Sequence, residues 1–127
     1  MAKMVIFSAV SGKVVLHGAP VAGAQIERSF VWGDETGSDR TTSAADGSFS
    51  LPAIERRSFL SSLFASEPFT EQTVMIEHAG KRHKAWYFHK RNYRDNGELD
   101  GKPIRMRCPL EAEPAKRGKV FGICELE

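Results

Sequence analysis

The chain has 127 residues, of which 41% are hydrophobic and 27% are charged, and its formal net charge is +2. This length fits one domain, and this composition supports one hydrophobic core and excludes a wholly disordered chain. A net charge this small excludes a polyanion as the default partner. We therefore expect a single domain over residues 1–127 whose function depends on where the charges lie.

The N-terminal residues contain an early lysine and a brief apolar run that residues 11–13 interrupt. A secretion signal needs a longer apolar stretch and a small-residue cleavage site beyond it. No stretch of the sequence is apolar over the length needed to cross a bilayer. The sequence thus predicts a cytoplasmic protein that has no membrane partner.

The first half of the chain is typical of β-structure. Residues 11–16 predict a short strand that ends in a turn at 17–20. Residues 24–32 predict a second strand, because apolar side chains alternate with polar ones and only Arg28 breaks the pattern on the apolar face.

The next segments carry turn signals. Residues 33–39 predict a polar connection with no core residue. A further extended piece begins at 41–42, and Asp46-Gly47 predicts a hairpin that leads into a strand at 48–51.

One segment has helical spacing. Phe59, Leu60, Leu63 and Phe64 follow the period of a helix, and Pro68 prevents its continuation. The spacing predicts a short helix over residues 55–64.

The second half returns to strand patterns. Residues 71–78 and 81–89 predict a hairpin around Ala79-Gly80, and 90–102 predicts a long polar loop. Two last strands are predicted at 104–110 and 119–124. About seven strands and one short helix favour an all-β antiparallel sandwich over a βαβ arrangement.

The two cysteines, Cys108 and Cys124, lie in the last two predicted strands. Apolar and charged residues alternate over 104–108, which predicts that Cys108 faces the core, and Cys124 is interpreted in the same way. Two cysteines could form one disulfide, but in a cytoplasmic chain we expect both thiols to be reduced.

Residues 12–26 contain Gly18-Ala19-Pro20-Val21-Ala22-Gly23-Ala24, and residues 42–52 contain Asp46-Gly47-Ser48-Phe49. Gly18 and Gly23 permit tight turning around Pro20. These segments resemble the carboxypeptidase regulatory-like domain family, whose fold is transthyretin-like. The resemblance implies a seven-stranded Greek-key sandwich.

Three later segments, 85–87, 90–93 and 96–99, resemble a group of small bacterial proteins that share this single-domain layout. Proteins of that group are linked to type VI secretion and to toxin–immunity loci. The resemblance implies an immunity or accessory protein.

The sequence provides no set of residues that predicts an enzyme. Transthyretin-like hydrolases end in Tyr-Arg-Gly-Ser, whereas this chain ends at 125–127 in Glu-Leu-Glu. Ser61 and Ser62 lack a Gly-x-Ser-x-Gly setting and an evident base. We expect no catalytic residues and no cofactor.

Three histidines, His78, His83 and His89, lie close together in the sequence. His83 and His89 would lie roughly 20 Å apart along a strand that rises about 3.3 Å per residue. His78 and His83 provide only two ligands across the turn, fewer than a protein metal site normally uses. We therefore expect no metal.

Residues 81–94 hold six of the 18 basic residues and no acidic residue, and four aromatic residues are interleaved with them. Three interpretations stay open. The segment is an ordinary strand whose aromatic rings fill the core, a protein interface built on basic and aromatic anchors, or a nucleic-acid surface that contacts phosphates and stacks on bases.

Our leading hypothesis is a non-enzymatic protein-binding module that neutralises or escorts a type VI secretion effector. The alternative is a structural or carbohydrate-binding accessory domain of a larger assembly, and nucleic acid is the least favoured partner. The predicted partner-binding residues are Lys84, Tyr87, His89, Lys90, Arg91, Tyr93 and Arg94.

Overall fold

The structure is a computed structural model that describes residues 2–58 and 68–127. Within these residues the chain forms thirteen β-strands and a single 3-10 turn at Gly97–Leu99, with no α-helix. The strands are β1 (Ala2–Phe7), β2 (Val10–Leu16), β3 (Ala19–Pro20), β4 (Gln25–Trp32), β5 (Glu35–Thr42), β6 (Ser48–Leu51), β7 (Ile54–Ser58), β8 (Thr70–His78), β9 (Lys81–Lys90), β10 (Ile104–Pro109), β11 (Ala115–Arg117), β12 (Val120–Gly122) and β13 (Glu125–Leu126).

The described strands form two larger sheets and one ribbon. The six-stranded sheet has the order β11-β12-β9-β8-β4-β5, and the five-stranded sheet has the order β13-β10-β2-β3 with β6 also paired to β2. The ribbon consists of β1 and β7. Buried apolar side chains of both larger sheets form one core cluster, to which Val14, Ile26, Ile76 and Met106 belong. The prediction of an all-β, sandwich-like fold is confirmed.

One pairing in the five-stranded sheet is parallel, although the sequence predicts an antiparallel sandwich. β10 runs beside β2 from Ile104 opposite Val10 to Pro109 opposite Val15. The other strand pairs described here are antiparallel. A parallel pair needs a long crossover connection, and here four strands of the six-stranded sheet, β4, β5, β8 and β9, lie within that connection.

The residues at 55–58 belong to strand β7, where the sequence predicts the start of a helix. β7 pairs antiparallel with β1. This long-range pairing overrides local spacing because it satisfies the backbone groups of both segments. The helix prediction is therefore wrong for 55–58. The residues that produced the spacing, Phe59, Leu60, Leu63 and Phe64, lie outside the described residues, as do Ser61 and Ser62.

The N-terminal segment, for which the sequence analysis predicts no strand, forms β1. Met4, Val5, Ile6 and Phe7 are all buried. Both faces of this short strand are therefore covered, which explains its continuous apolar run.

The polar segment predicted as a connection at 33–39 is mostly strand β5, which pairs along its whole length with β4. The turn at Asp46-Gly47 then carries the chain from the six-stranded sheet to β6 in the five-stranded sheet. Gly47 has a φ of 83°, which suits glycine. The turn is confirmed, but it connects two sheets and is not a β-hairpin.

Arg28, the exception in the apolar pattern of β4, is fully buried in the sandwich. Its Nε and Nη2 atoms donate to the two carboxylate oxygens of Asp39 at 2.9 and 2.6 Å. Nη2 also donates to the Pro52 carbonyl at 2.6 Å, and the guanidinium lies 4.8 Å from the Phe7 ring centroid. The buried charge is thus paired and hydrogen-bonded, as burial of an arginine requires.

Cys108 and Cys124 both face the core, as the sequence predicts, and they form a disulfide. The expectation of reduced thiols is therefore wrong for this structure. The disulfide joins β10 to the segment between β12 and β13, where the chain passes from the six-stranded sheet to the five-stranded sheet.

Candidate functional site

The predicted β8–β9 hairpin is present, and a β-bulge at Ala85 determines which of its side chains reach the surface. Val74 pairs with Trp86 and Met75 pairs with Lys84, so Ala85 is an additional residue in β9. Side chains alternate between the two faces of a strand, and an additional residue reverses that alternation. Lys84 therefore lies on the outer face of the sheet although Trp86 lies in the core.

Lys84, Tyr87 and His89 share this outer face, and side chains from neighbouring segments extend them into a row. We call the row the basic–aromatic stripe. Its members, in order along the surface, are Arg91, Phe69, His89, Tyr87, Lys84 and Phe121.

One half of the stripe is centred on Phe69, which precedes β8. The Arg91 guanidinium lies 4.8 Å from the centroid of the Phe69 ring. The Phe69 and His89 ring centroids are 5.0 Å apart. Phe69 is 40% exposed, so this half presents an apolar ring to solvent beside a cation.

The other half is centred on Lys84. Its Nζ lies 5.1 Å from the ring centroid of Tyr87 and 5.9 Å from that of Phe121. Phe121 pairs with Tyr87 across β12 and β9, and Tyr87 contacts the His89 ring at 5.2 Å between centroids. Arg91 and Lys84 thus lie beside aromatic rings at distances typical of cation–π contacts, and three rings lie between these two cations.

Glu71, on β8, contacts Tyr87 and His89, the two residues in the middle of the stripe. The Tyr87 hydroxyl donates to its Oε2 at 3.0 Å, and this hydrogen bond raises the pKa of Tyr87 above its ordinary value of 10.0. The His89 Nε2 lies 3.1 Å from the Tyr87 hydroxyl and 3.7 Å from the Glu71 carboxylate. These contacts limit the rotamers of Tyr87 and His89 before any partner arrives.

Lys90, which the sequence predicts as a partner-binding residue, is buried in the protein interior. Its Nζ donates to the carbonyls of Val5 and Arg94 at 2.8 and 2.6 Å, and lies 3.6 Å from Oε1 of Glu98. Burial lowers the pKa of Lys90 below 10.5, and the Glu98 carboxylate partly opposes that shift. The predicted exposure of Lys90 is wrong, because its strand position places it on the core face with Trp86 and Phe88.

Glu98 completes a buried polar network that sequence patterns do not reveal. Its carboxylate accepts from the Ser8 backbone N–H at 2.9 Å, the Ser8 hydroxyl at 2.6 Å and the Gln72 side-chain amide at 2.8 Å. Gln72 in turn accepts from the Trp86 indole N–H at 3.1 Å. The network joins the end of β1 to β8, β9 and the loop after β9.

The remaining two predicted residues lie away from the stripe. Tyr93 is half-buried, and its hydroxyl accepts the Trp32 indole N–H at 3.1 Å while the two rings meet edge to face. Arg94 is exposed on the loop after β9. The structure therefore brings together four of the seven predicted residues: Lys84, Tyr87, His89 and Arg91.

Phe69 and Phe121 belong to the stripe but are not among the predicted residues. Neither phenylalanine lies in a sequence pattern that indicates this surface. Phe69 reaches the stripe because β8 pairs with β9, and Phe121 reaches it because β12 pairs with β9. Only the sheet order reveals that they are neighbours.

The described residues hold no group of three or more histidine, cysteine, aspartate or glutamate side chains arranged to bind a metal. His83 is partly buried, and this desolvation lowers its pKa, with Lys81 and His78 adding to the effect. Among residues 2–58 and 68–127, no helix has the length and hydropathy that crossing a membrane requires.

Fold and surface together define an all-β, sandwich-like protein with an exposed row of cations and aromatic rings. Residues 10–113, which are most of the chain, match the family described as "Domain of unknown function (DUF6795)", and the chain belongs to that family. Searches of curated proteins and of solved structures gave no significant match.

Proposed function

We propose that this chain is a non-enzymatic protein-binding module that docks an acidic surface of its partner on the basic–aromatic stripe. The observation that carries the proposal is the continuous row of Arg91, Phe69, His89, Tyr87, Lys84 and Phe121 on one sheet face. Arginine, tyrosine and other aromatic residues are the side chains that most often anchor protein interfaces.

The side chains of the stripe are held in place by contacts with one another, and this supports the proposed function. Lys84 is already held over two rings and Arg91 over one, while Tyr87 is hydrogen-bonded to Glu71. Side chains fixed before binding lose less conformational entropy when a partner docks. The stripe is therefore better suited to binding than the same residues on a mobile loop.

We extend the proposal to the finer fold, a Greek-key sandwich of the transthyretin-like kind. Two features of strand order support it. The chain leaves the six-stranded sheet after β5 and returns at β8 to lie beside β4, and β2 lies between β6 and β10. Connections that pass between two packed sheets in this way are typical of Greek-key sandwiches.

We further propose that the partner is a toxin or effector of a type VI secretion system, which this protein neutralises or escorts by covering part of its surface. The resemblance of residues 85–87, 90–93 and 96–99 to small bacterial proteins of such loci supports this assignment. The expected cytoplasmic location stays a prediction, and the Cys108–Cys124 disulfide counts against it, since such bonds persist mainly in oxidising compartments.

The alternative function is a structural or carbohydrate-binding accessory domain, and a purely structural one is expected to leave the surface without an aromatic patch. Phe69 and Phe121 are 40% and 38% exposed and lie in one row with Tyr87. This row favours the protein-binding function over a purely structural one.

The test is capture of the partner from the native host by three tagged forms of the protein. The first is the wild type, and the second carries Lys84→Glu with Arg91→Glu in the stripe. The third carries Lys13→Glu with Arg105→Glu, two exposed positions on the five-stranded sheet that change the net charge equally.

We expect one protein to be retained in stoichiometric amount by the wild type and the control, and to be lost from the stripe variant. Retention of that protein by the stripe variant, or capture of nothing stoichiometric by the wild type with neighbouring genes co-expressed, would overturn the proposal. Circular dichroism of all three forms excludes unfolding as the cause of a loss.

A further inference from the structure

A groove of about 1030 Å³ lies between the loop that follows β9 and the β11–β12 hairpin. We call it the basic groove. Six exposed cationic side chains line it: Arg91, Arg94, Lys102, Lys116, Arg117 and Lys119. They come from two separate parts of the sequence, so the concentration of charge arises from folding.

Cations outnumber carboxylates in the groove, whose lining also includes Asp100, Glu127 and Glu98, the last of which lies beside Lys90. None of these six side chains forms an ion pair with a carboxylate of residues 2–58 or 68–127. Lysines and arginines elsewhere are mostly paired: Lys3, Arg28, Arg40, Arg56, Arg82, Lys90 and Arg107 each contact a glutamate or aspartate. Unpaired cations gathered along one groove attract an anionic partner.

Sheet order explains why the groove is open. β12 pairs with β9 only through Phe121 opposite Tyr87. Among the described residues, no strand continues that pairing along Phe88–Lys90, the last part of β9. The space where a further strand would lie is the basic groove.

The groove is apolar as well as cationic. Phe88 and Val120 lie in its wall with small exposed fractions, while Leu99 is half-buried and Leu126 is 37% exposed. A bare anion such as phosphate leaves these apolar groups without contacts. A ligand that carries both carboxylates and apolar side chains fits the lining better.

We infer that the basic groove binds an extended acidic segment of the partner protein, with carboxylates on its six cations and apolar side chains against Leu99 and Leu126. Charge complementarity selects this occupant. The inference rests on the proposed function, and it adds a second contact region that continues from the stripe through His89 and Arg91, which line both.

Nucleic acid fits the groove less well. Single-stranded nucleic acid is held by stacking of bases on exposed aromatic rings beside a cationic track. Of the two aromatic rings in the groove lining, Phe88 is only 8% exposed and His89 is partly buried, and the exposed rings Phe69 and Phe121 lie on the stripe instead. Binding of a single-stranded nucleic acid is therefore measured alongside binding of an acidic peptide.

The experiment measures fluorescence anisotropy of three labelled probes with the full-length protein. They are a peptide of glutamates interspersed with leucines and serines, the same peptide with glutamine for each glutamate, and a single-stranded oligothymidylate of similar length. The groove variant carries Arg94→Glu with Lys119→Glu, one position in each wall and neither in the stripe. The control is the Lys13→Glu with Arg105→Glu form.

We expect the acidic peptide to bind the wild type and the control equally, and the groove variant at least about tenfold more weakly, with affinity falling as salt rises. The glutamine peptide should bind at least about tenfold more weakly than the acidic one to the wild type. Equal binding to groove variant and control, equal binding of both peptides, or tighter binding of oligothymidylate than of acidic peptide overturns the inference.

The two experiments distinguish failure of the proposed docking on the stripe from failure of the proposed binding in the groove. Loss of partner capture in the Lys84→Glu with Arg91→Glu form, together with unchanged peptide affinity in the groove variant, leaves the stripe as interface and removes the groove. Groove-dependent peptide binding without any stoichiometric partner retains the groove as an acidic-segment site and removes the proposed docking on the stripe.

Discussion

The carboxylate of Glu98 accepts two hydrogen bonds from Ser8, one from its backbone N–H at 2.9 Å and one from its hydroxyl at 2.6 Å. Ser8 also accepts the Asn96 backbone N–H on its hydroxyl at 2.8 Å. The residue after β1 is thus fastened to the loop that carries one wall of the basic groove. The shape of that wall therefore depends on the buried polar network of Glu98 and Ser8.

Replacing Lys90 tests this network. Lys90→Met leaves Glu98 buried without its cation, and we expect the free energy of unfolding to fall by about 3–5 kcal/mol. Lys90→Met with Glu98→Gln should recover part of the loss, because the unpaired charge is then absent. Urea denaturation followed by tryptophan fluorescence measures both. Exposed Lys102→Met serves as a control, and a double variant less stable than Lys90→Met would contradict the prediction.

Alkaline titration tests the middle of the stripe. The hydrogen bond to Glu71 raises the pKa of Tyr87, so its contribution to stability is present below the ordinary pKa of 10.0 and is lost as pH rises through the higher folded value. In a Tyr93→Phe background Tyr87 is the remaining tyrosine, since the chain has two. We expect phenolate absorbance to develop at lower pH in Glu71→Ala.

Glu77→Ala is the matched control for that titration, because Glu77 lies on the same strand but opposite Arg82, away from Tyr87. A Tyr87 titration curve that is identical in Glu71→Ala and Glu77→Ala would show that the hydrogen bond does not set the pKa.

Reduction tests the disulfide. Cys108 and Cys124 are 16 residues apart, and closing a loop of that size stabilises a folded chain by roughly 3 kcal/mol. We expect dithiothreitol to lower the urea midpoint of the wild type by a corresponding amount. The Cys108→Ala with Cys124→Ala form should not respond to reductant. Two free thiols titrated in the protein unfolded without reductant would contradict the bond.

Tyr93 tests the difference between a fold residue and an interface residue. Tyr93→Phe removes the acceptor of the Trp32 indole N–H and keeps the edge-to-face ring contact. We expect a loss of about 1 kcal/mol in the free energy of unfolding and unchanged partner capture. Arg91→Ala should leave the free energy of unfolding unchanged and reduce partner capture. Reduced capture with Tyr93→Phe at full stability would move the interface toward Trp32.

Local patterns in the sequence predict the parts of the fold that depend on alternation and turns. The face of β4 that contains Ile26 and Phe30 is buried as predicted. The Ala79-Gly80 turn has two positive φ values and joins β8 to β9. Each of these features is determined by residues close in sequence.

The candidate site depends on features that are not local. Uninterrupted alternation along β9 would place Lys84 on the same face as Trp86. The bulge at Ala85, which is visible only in the pairing with β8, moves Lys84 to the opposite face. Lys90 resembles its basic neighbours in sequence, but its burial depends on Glu98 and on a carbonyl of β1. Phe121 joins the stripe through strand order.

The parallel pairing of β2 with β10 also affects how the protein is made. Val10 cannot pair with Ile104 until residues 11–103 have left the ribosome, so one edge of β2 stays unpaired while they are synthesised. Contacts this distant in sequence slow folding and expose strand edges to other chains meanwhile. Newly made protein should therefore depend on chaperones more than a helical protein of this length does.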